Sequence, residues 1–386
     1  MESLFGIDIW SYANLNRPGM VLVPRSLRSV FEKTVTDAGA QFEVQIENIK
    51  EAIEEEERLL AAFSQRSNFS DGRLTFDKIH RFAEVNAYLD QLAAQYPSVT
   101  VVNAGKSFEG RDIKYLRIST SNFQDNRKPV IMVQSLLHAR EWVTLPATLY
   151  AIKRLVVEIT DRDLVNQIDW IILPIANPDG YEFSHTNSRF WRKNRSTGHM
   201  VGNICMGVDL NRNFDFNFGT ASSGSACSET FHGRHAFSEP ESAIVRNIVQ
   251  EYKNRLEMFI DVHSFGSLIL YGYGNGVLPP NALSLNVASV RMASAIDAVK
   301  WPSKPNYRVG NIGMILYIVS GGCSDYVQAV GVPLSFTYEL PAYRNQATSV
   351  NGFLVDPAFI EQAGFETWEG IKAGARFVLQ NTRKMH

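Results

Sequence analysis

The tetrapeptide HARE at 138–141 places an imidazole and a carboxylate three residues apart, directly after the apolar run VIMVQS. Side chains at this spacing lie on one face of a helical turn, so His138 and Glu141 can reach one ion. Zinc accepts both ligand types, and catalytic zinc sites commonly use three protein ligands. His263, which ends the apolar run FIDVH, is the best candidate for the third. Taken singly, both the pair and the histidine also fit ordinary structural roles.

The elements around these residues indicate an α/β protein. The pattern predicts strands near 130–135, 168–175, 258–263, 267–273 and 333–339, and helices near 142–159, 239–254, 284–299 and 365–380. Strands that alternate with helices are typical of an α/β sandwich built around a mostly buried sheet. A histidine at the end of such a strand lies at the edge where α/β proteins build their sites.

Composition excludes several classes of protein. The chain has 386 residues, 45% of them hydrophobic and 20% charged, which is ordinary globular composition. Its 38 basic residues face 40 acidic ones, and this balance argues against a nucleic-acid partner. Apolar runs such as Trp170–Ile175 are too short to cross a bilayer, so we expect no membrane partner.

The first part of the chain reads as a smaller unit. Extended pieces within 4–23, a helix at 26–38, a strand at 41–46 and an acidic helix at 48–63 precede the polar stretch SQRSNFSDGR. That stretch resembles an exposed, protease-accessible connector. We therefore predict a unit at 1–63, a linker at 64–73 and a larger domain at 74–386.

Seven motifs in order resemble the zinc metallocarboxypeptidase family, in its digestive procarboxypeptidase A/B branch. They are HARE, NPDGY, FWRKNRS, VDLNRNF, HGRHAFSEPES, DVHSFGSLILYGYG and FTYEL. SFEGRDIKYLRIS and ELPAYRN further resemble insect midgut members. The resemblance implies a mixed, eight-stranded twisted sheet flanked by helices, preceded by a small, partial α/β activation domain. It also implies a zymogen whose activation domain covers the active-site cleft until a trypsin-like protease cuts at Arg66 or Arg73.

The resemblance extends to the catalytic centre. It implies that His138, Glu141 and His263 hold one Zn²⁺, the ligand set for which carboxypeptidase A is itself the standard example. Asp209 matches the carboxylate that orients His138, a support that zinc-bound imidazoles generally need. Glu339 matches the general base, which takes a proton from water and passes it to the leaving amine.

Further matches concern the substrate. Asn211 and Arg212 match the pair that binds a free C-terminal carboxylate, for which a guanidinium offers two parallel hydrogen bonds. Arg192 matches the arginine that polarises the scissile carbonyl. Tyr317 matches a mobile tyrosine that closes over substrate. Arg140 matches an outer subsite or entry contact.

The pocket for the C-terminal side chain has Ser324 at its implied floor, with Ile312, Leu316 and Val319 as walls. A neutral, mostly apolar pocket cannot compensate the desolvation of a buried charge, so C-terminal Lys and Arg should bind poorly. We expect a preference for apolar or neutral residues, as in carboxypeptidase A. The order of aromatic, aliphatic and small polar residues stays open.

The resemblance also implies a setting. Cys205 and Cys227 match the family's disulfide, which indicates an oxidising, extracellular compartment such as the gut lumen. Cys323 is left over and is expected to be buried and inert. Residues 1–20 lack a signal peptide, and we expect the native start to lie upstream. Implied partners are peptides and proteins with a free C-terminus, a trypsin-like activating protease and proteinaceous carboxypeptidase inhibitors, and we expect a monomer.

Two alternatives remain open. A catalytically inactive relative would keep the groove as a peptide-binding module, although the implied ligands and base are all in place here. A processing carboxypeptidase with broader or different specificity would keep the chemistry but change its role. Such relatives typically line the pocket with an acid, which is absent at Ser324.

Overall fold

One mixed sheet of eight strands runs through the larger part of the molecule. The computed structural model describes residues 7–13, 18–66, 74–199, 205–344 and 351–382. In chain order the strands are β1 (Asp8–Ser11), β2 (Met20–Leu22), β3 (Val99–Lys106), β4 (Asp112–Ile118), β5 (Val130–Ser135), β6 (Asp169–Leu173), β7 (Leu256–Ser264), β8 (Leu268–Tyr271), β9 (Arg308–Asn311), β10 (Leu334–Leu340), β11 (Tyr343–Arg344) and β12 (Asn351–Gly352).

The sheet order is β3-β4-β6-β5-β7-β10-β8-β9. Strands β6, β5, β7 and β10 at the centre are parallel, whereas β4 and β8 join them antiparallel on either side. Every residue of β5 and β6 is buried, as expected for strands covered on both faces. The predicted mixed eight-stranded sheet is therefore confirmed. The carboxyl ends of the parallel strands meet at one edge.

Helices cover both faces of the sheet. They are α1 (Arg28–Asp37), α2 (Ile49–Arg66), α3 (Phe82–Gln95), α4 (Thr144–Ile152), α5 (Arg162–Gln167), α6 (Pro178–Thr186), α7 (Pro240–Tyr252), α8 (Ala282–Asp297), α9 (Ile312–Ile315), α10 (Cys323–Ala329) and α11 (Pro357–Thr382). Helices α3, α4, α8 and α11 share one apolar core with one face of the sheet, and α7 and α10 share another with the opposite face. The sheet is thus the middle layer of three.

The predicted central elements lie where the patterns placed them. The five predicted strands correspond to β5, β6, β7, β8 and β10. The helix predicted at 142–159 consists of α4 followed by a π-helical turn at Lys153–Val157. The last helix, predicted at 365–380, begins earlier, at Pro357, and ends at Thr382. The elements that were not predicted are strands β3, β4, β9, β11 and β12 and helices α3, α5, α6, α9 and α10.

The amino-terminal unit, defined here as β1, β2, α1 and α2, lies against the larger domain. Strands β1 and β2 pair antiparallel. The strand predicted at 41–46 is wrong: these residues are irregular, and Phe42 and Val44 are 44% and 42% exposed. Alternation alone does not hold a strand, and in the described part of the chain no strand pairs with this stretch. Of the two expected cleavage points, Arg66 ends α2 and Arg73 lies outside the described residues.

The cysteines pair as the resemblance implied. Cys205 and Cys227 form a disulfide with their Cα atoms 4.7 Å apart, and Cys323 is a free, buried thiol. Burial raises the pKa of the Cys323 thiol well above its usual value, which disfavours the reactive thiolate. None of the helices in the described ranges is long and apolar enough to span a bilayer.

Candidate active site

Three potential metal ligands converge at the carboxyl edge of the sheet. His138 and Glu141 lie in the turn that follows β5, and His263 lies near the end of the neighbouring parallel strand β7. Their ligand atoms all lie within 4.8 Å of one another, and all three residues are buried. Adjacent parallel strands end at the same edge, which is why residues 125 positions apart in the chain, His138 and His263, come together.

The chemistry of this cluster fits zinc. Nδ1 of His138 lies 2.8 Å from Oε1 of Glu141, and Nδ1 of His263 lies 2.9 Å from Oε2 of the same carboxylate. Burial opposes the negative charge of Glu141, but the two imidazoles outweigh it and hold the pKa of this carboxyl below its usual range. Two imidazole nitrogens and an ionised carboxylate are the donor set of many catalytic zinc sites.

Asp209 lies behind His138 and links it to Arg192. Its Oδ1 is 3.0 Å from Nε2 of His138, and its Oδ2 accepts a hydrogen bond of 2.8 Å from Nη2 of Arg192. The same side chain caps the short 3₁₀ turn Leu210–Arg212 by accepting the Asn211 N–H at 3.0 Å. Asp209 is fully buried, so one carboxylate orders an imidazole, an arginine and the following turn.

That turn presents two polar groups beside the metal cluster. The side-chain oxygen of Asn211 accepts the N–H of Cys323 at 2.8 Å, which leaves the amide NH₂ as the donor end. Nη2 of Arg212 donates to the hydroxyl of Tyr317 at 3.2 Å. Gly321 passes behind the turn with φ of +68°, and a Cβ there would lie 2.1 Å from the carbonyl oxygen of Arg212. Only glycine permits this approach.

The implied pocket residues lie in one region. Ile312, Leu316 and Val319 share a small apolar cluster with Leu268 and Leu270 of β8. The Ser324 hydroxyl lies 2.8 Å from that of Thr337, so two hydroxyls pair at the start of α10. The neighbouring Asp325, which the sequence did not indicate, is buried and accepts the Gly274 N–H at 2.7 Å. Burial raises the pKa of Asp325 to about 7.

Glu339 lies one residue before the end of β10, level with His263 on the adjacent strand. Gly266 lies against the Glu339 side chain: a Cβ added to Gly266 would lie 3.1 Å from the Cβ of Glu339. Burial raises the pKa of Glu339 above its usual range, and the carboxylate of Glu141 adds to the effect, while His263 opposes it. The strand pairing thus places a buried carboxyl group with a raised pKa next to the metal cluster.

The amino-terminal unit closes this site from outside. Nη1 of Arg140 donates to the carboxylate of Asp8 at 2.6 Å, and the Trp10 indole donates to the same carboxylate at 2.7 Å. The ring of Tyr12 packs 4.5 Å from that of Tyr317. A cavity remains between the two parts, lined by Ile9, Trp10, Tyr12, Arg140, Arg192, Glu229, Thr230 and Tyr317. Strand β1 therefore occupies the mouth of the cleft.

A second contact lies further from the metal cluster. Glu56 of α2 is buried and bonds Arg189 through both oxygens, at 2.6 and 3.0 Å. The Arg189 guanidinium lies 3.6 Å from the centre of the ring of Trp142, the residue that follows Glu141 in the chain. It also donates a hydrogen bond to the carbonyl of Arg140. Within the acidic helix predicted at 48–63 the sequence does not distinguish Glu56 from its acidic neighbours, whereas its pairing with Arg189, 133 positions away, does.

Comparisons with known proteins agree with this geometry. A model of the zinc carboxypeptidase family matches residues 85–370, and a model of the carboxypeptidase activation peptide matches residues 1–56. Carboxypeptidase B of Helicoverpa zea is 41% identical over 96% of this chain and 88% of its own length.

Solved structures show the same similarity. The crystal structure of the carboxypeptidase A from Helicoverpa armigera superposes with a TM-score of 0.97 at 61% identity, covering 99% of this chain and 93% of that one. Bovine thrombin-activatable fibrinolysis inhibitor, in complex with tick carboxypeptidase inhibitor, superposes with a TM-score of 0.71 at 26% identity, covering 79% of this chain and 99% of that one. This chain is a member of the zinc carboxypeptidase family and carries the family's activation peptide at its amino terminus.

Proposed function

We propose that this zinc carboxypeptidase removes single apolar or neutral residues from the C-termini of peptides, and that it is made as a zymogen for extracellular digestion. The observation that carries the proposal is that Asp209 contacts both His138 of the metal cluster and the turn that presents Asn211 and Arg212. A carboxylate-binding group next to the metal cluster would restrict cleavage to the last peptide bond. Without it, the same centre would cut internally.

In this proposal the substrate carboxylate is bound by Arg212 and Asn211. The Arg212 guanidinium, now bonded to the Tyr317 hydroxyl, offers the planar donors that suit a carboxylate. Tyr317 then exchanges this bond for contact with bound substrate and excludes water. Because the Tyr12 ring lies against Tyr317, this movement requires β1 to leave.

The chemical step is proposed to use Glu339 and Arg192. Zinc, when bound by His138, Glu141 and His263, supplies a Lewis acid at the reacting centre. Glu339 accepts a proton from the attacking water and later passes it to the leaving amine. Arg192, oriented by Asp209, donates to the oxygen on which negative charge develops.

Specificity is proposed to follow from the absence of a charge at the Ser324 floor. The walls at Ile312, Leu316 and Val319 favour apolar side chains, and the paired hydroxyls of Ser324 and Thr337 accept small polar ones. A buried C-terminal Lys or Arg would find no counter-charge on Ser324. One Helicoverpa relative is named carboxypeptidase A and the other carboxypeptidase B, so their names do not decide the specificity of this chain. The proposed preference for apolar or neutral residues therefore rests on the residues of the pocket.

Activation is proposed to follow the division 1–63, 64–73 and 74–386. A trypsin-like protease would cut at Arg66 or Arg73, and dissociation of the cut activation peptide would then free Arg140 and Tyr317 from the amino-terminal unit. Arg140, freed from Asp8, would then contact an outer part of the substrate. The Cys205–Cys227 disulfide supports an extracellular setting. Further proposals are a monomeric enzyme and control by proteinaceous carboxypeptidase inhibitors, the latter supported by the bovine relative solved with such an inhibitor.

In the experiment, protein that has been cut with trypsin and separated from its activation peptide is incubated with matched peptides ending in Phe, Leu, Ser, Lys and Glu, with and without a zinc chelator. We expect chelator-sensitive release of single Phe or Leu residues, faster than Lys or Glu. Fastest release of Lys would overturn the pocket assignment and favour a processing enzyme with different specificity. No release by folded, zinc-loaded protein would favour an inactive, peptide-binding relative.

A further inference from the structure

Both histidines of the metal cluster are oriented in the same way. Each turns Nδ1 toward the Glu141 carboxylate and Nε2 away from it. For His138 the group behind Nε2 is Asp209, at 3.0 Å. For His263 it is a second carboxylate, Asp261, whose Oδ2 lies 2.9 Å from Nε2. The family resemblance of the sequence motifs implies only the first of these carboxylates, Asp209.

The contact between Asp261 and His263 is isolated. Asp261 is fully buried and His263 is 1% exposed. Within the described residues, neither Asp261 Oδ2 nor His263 Nε2 makes a well-aligned hydrogen bond, and the two atoms lie 2.9 Å apart. A buried polar atom without a partner costs about 1–3 kcal/mol. The 2.9 Å contact between the imidazole nitrogen and the carboxylate oxygen is therefore the interaction that can satisfy both atoms.

Asp261 is itself held by the sheet. Residues 261 and 263 lie two apart in β7, so their side chains point to the same face. Gln134 of β5 lies level with Asp261 in the parallel register. Its amide Nε2 donates to Asp261 Oδ1 at 3.0 Å and lies 3.4 Å from Sγ of Cys323. One carboxylate oxygen is thus fixed by Gln134, and the other faces the imidazole.

We propose that Asp261, held in place by Gln134, is a positioning residue for the metal ligand His263. A carboxylate that accepts the Nε2 proton keeps the imidazole in the tautomer whose Nδ1 lone pair faces the metal. It also fixes the rotation of the ring and makes the Nδ1 lone pair more basic, and so a stronger ligand for the metal. The metal centre then has two carboxylate–imidazole pairs, Asp209–His138 and Asp261–His263, on its two sides. The buried Cys323 packs behind Gln134 as part of this support.

The test measures zinc affinity in the full chain, by competition with a chromophoric chelator. Asp261→Asn should weaken zinc binding about 10–100-fold, because the ring loses its anionic acceptor. The control is Asp169→Asn, an equally buried aspartate that bonds Ser119 and Arg255 away from the metal cluster. This control should lower thermal stability and leave zinc affinity unchanged.

A second readout separates positioning from packing. Cobalt-substituted protein should show a changed visible absorption spectrum in Asp261→Asn and an unchanged one in the control. If Asp261→Asn does not fold, Gln134→Leu, which removes the amide that holds Asp261, should still weaken zinc binding several-fold. Equal destabilisation of the metal-free and zinc-loaded forms, with zinc affinity and spectrum unchanged, would overturn the proposal. Zinc affinity is independent of peptide preference, so this result is distinct from a failure of the proposed specificity.

Discussion

In the proposed mechanism, single residues decide whether this site hydrolyses peptides or only binds them. Glu339 approaches the metal cluster because β10 pairs with β7, which places it level with His263. Burial raises its pKa, which makes it a stronger base than a surface carboxylate. Ser324, in contrast, contributes by being neutral.

Replacing Glu339 by Gln removes the base and keeps the shape of the side chain. We expect kcat to fall about 10²–10⁴-fold, with zinc content and KM near those of the parent protein. Steady-state release of C-terminal Phe, together with a zinc assay, measures this. Glu257→Gln, at the opposite end of β7, serves as the control and should retain activity. A Glu339→Gln variant with full kcat would remove Glu339 from the mechanism.

Replacing Ser324 by Asp introduces a carboxylate at the proposed pocket floor. We expect the ratio of kcat/KM for C-terminal Lys over Phe to rise at least about 10-fold, because a buried cation then has a counter-charge. Ser324→Asn adds similar volume without charge and should not raise that ratio. An unchanged ratio in Ser324→Asp would show that another residue forms the floor.

Helices and strands decide how the activation peptide is held. Helix α2 carries Ala52 into an apolar cluster with Phe190, Phe353 and Leu354 of the larger domain. On the same helix, the buried Glu56 carboxylate accepts two hydrogen bonds from Arg189 and one from the Val355 N–H, the last at 2.6 Å. These contacts do not involve the connector, so cutting the connector leaves them in place.

We therefore expect the activation peptide to stay bound after cleavage until this ion pair is broken. Glu56→Gln leaves Arg189 buried without its counter-charge, which costs roughly 3 kcal/mol, or about 100-fold in affinity. Size-exclusion chromatography of trypsin-cut protein measures the fraction still bound. The exposed neighbour Glu57, changed to Gln, should behave like the parent. Equal retention of both variants would mean that the apolar contacts alone hold the peptide.

At the scale of the whole molecule, the interface between the amino-terminal unit and the larger domain encloses charged groups of both signs. Glu229 lies in the cavity beside Arg140 and Arg192, with Lys193 also near. Burial first, and then the carboxylate of Asp8, raise the pKa of Glu229 to about 7. Nothing in the sequence around the turn after Cys227 pointed to this residue.

This arrangement predicts that the activation peptide binds less tightly as the pH rises. A carboxyl whose pKa is higher when docked favours docking while it is protonated, and that contribution is lost as the pH rises from about 4.5 toward 7. Above about 7 no further change from Glu229 is expected. The affinity of the cut peptide, measured at several pH values, should lose this dependence in Glu229→Gln. A dependence that persists in the variant would point to another titrating group.

The sequence by itself determined the chemistry and the class of fold. HxxE and a strand-end histidine indicated the metal ligands, apolar runs indicated the buried parallel strands, and ordered motifs indicated the family. These are short-range signals, because ligand spacing and strand period are written within a few residues.

Only the tertiary structure decided which distant groups meet. Gln134 meets Asp261 because of strand register, Glu56 pairs with Arg189 across two units, and Asp8 reaches Arg140 over the cleft. The alternation at 41–46 was misleading for the same reason: a strand depends on a partner that local sequence does not reveal. Pairings across more than a hundred residues follow from packing of the whole chain.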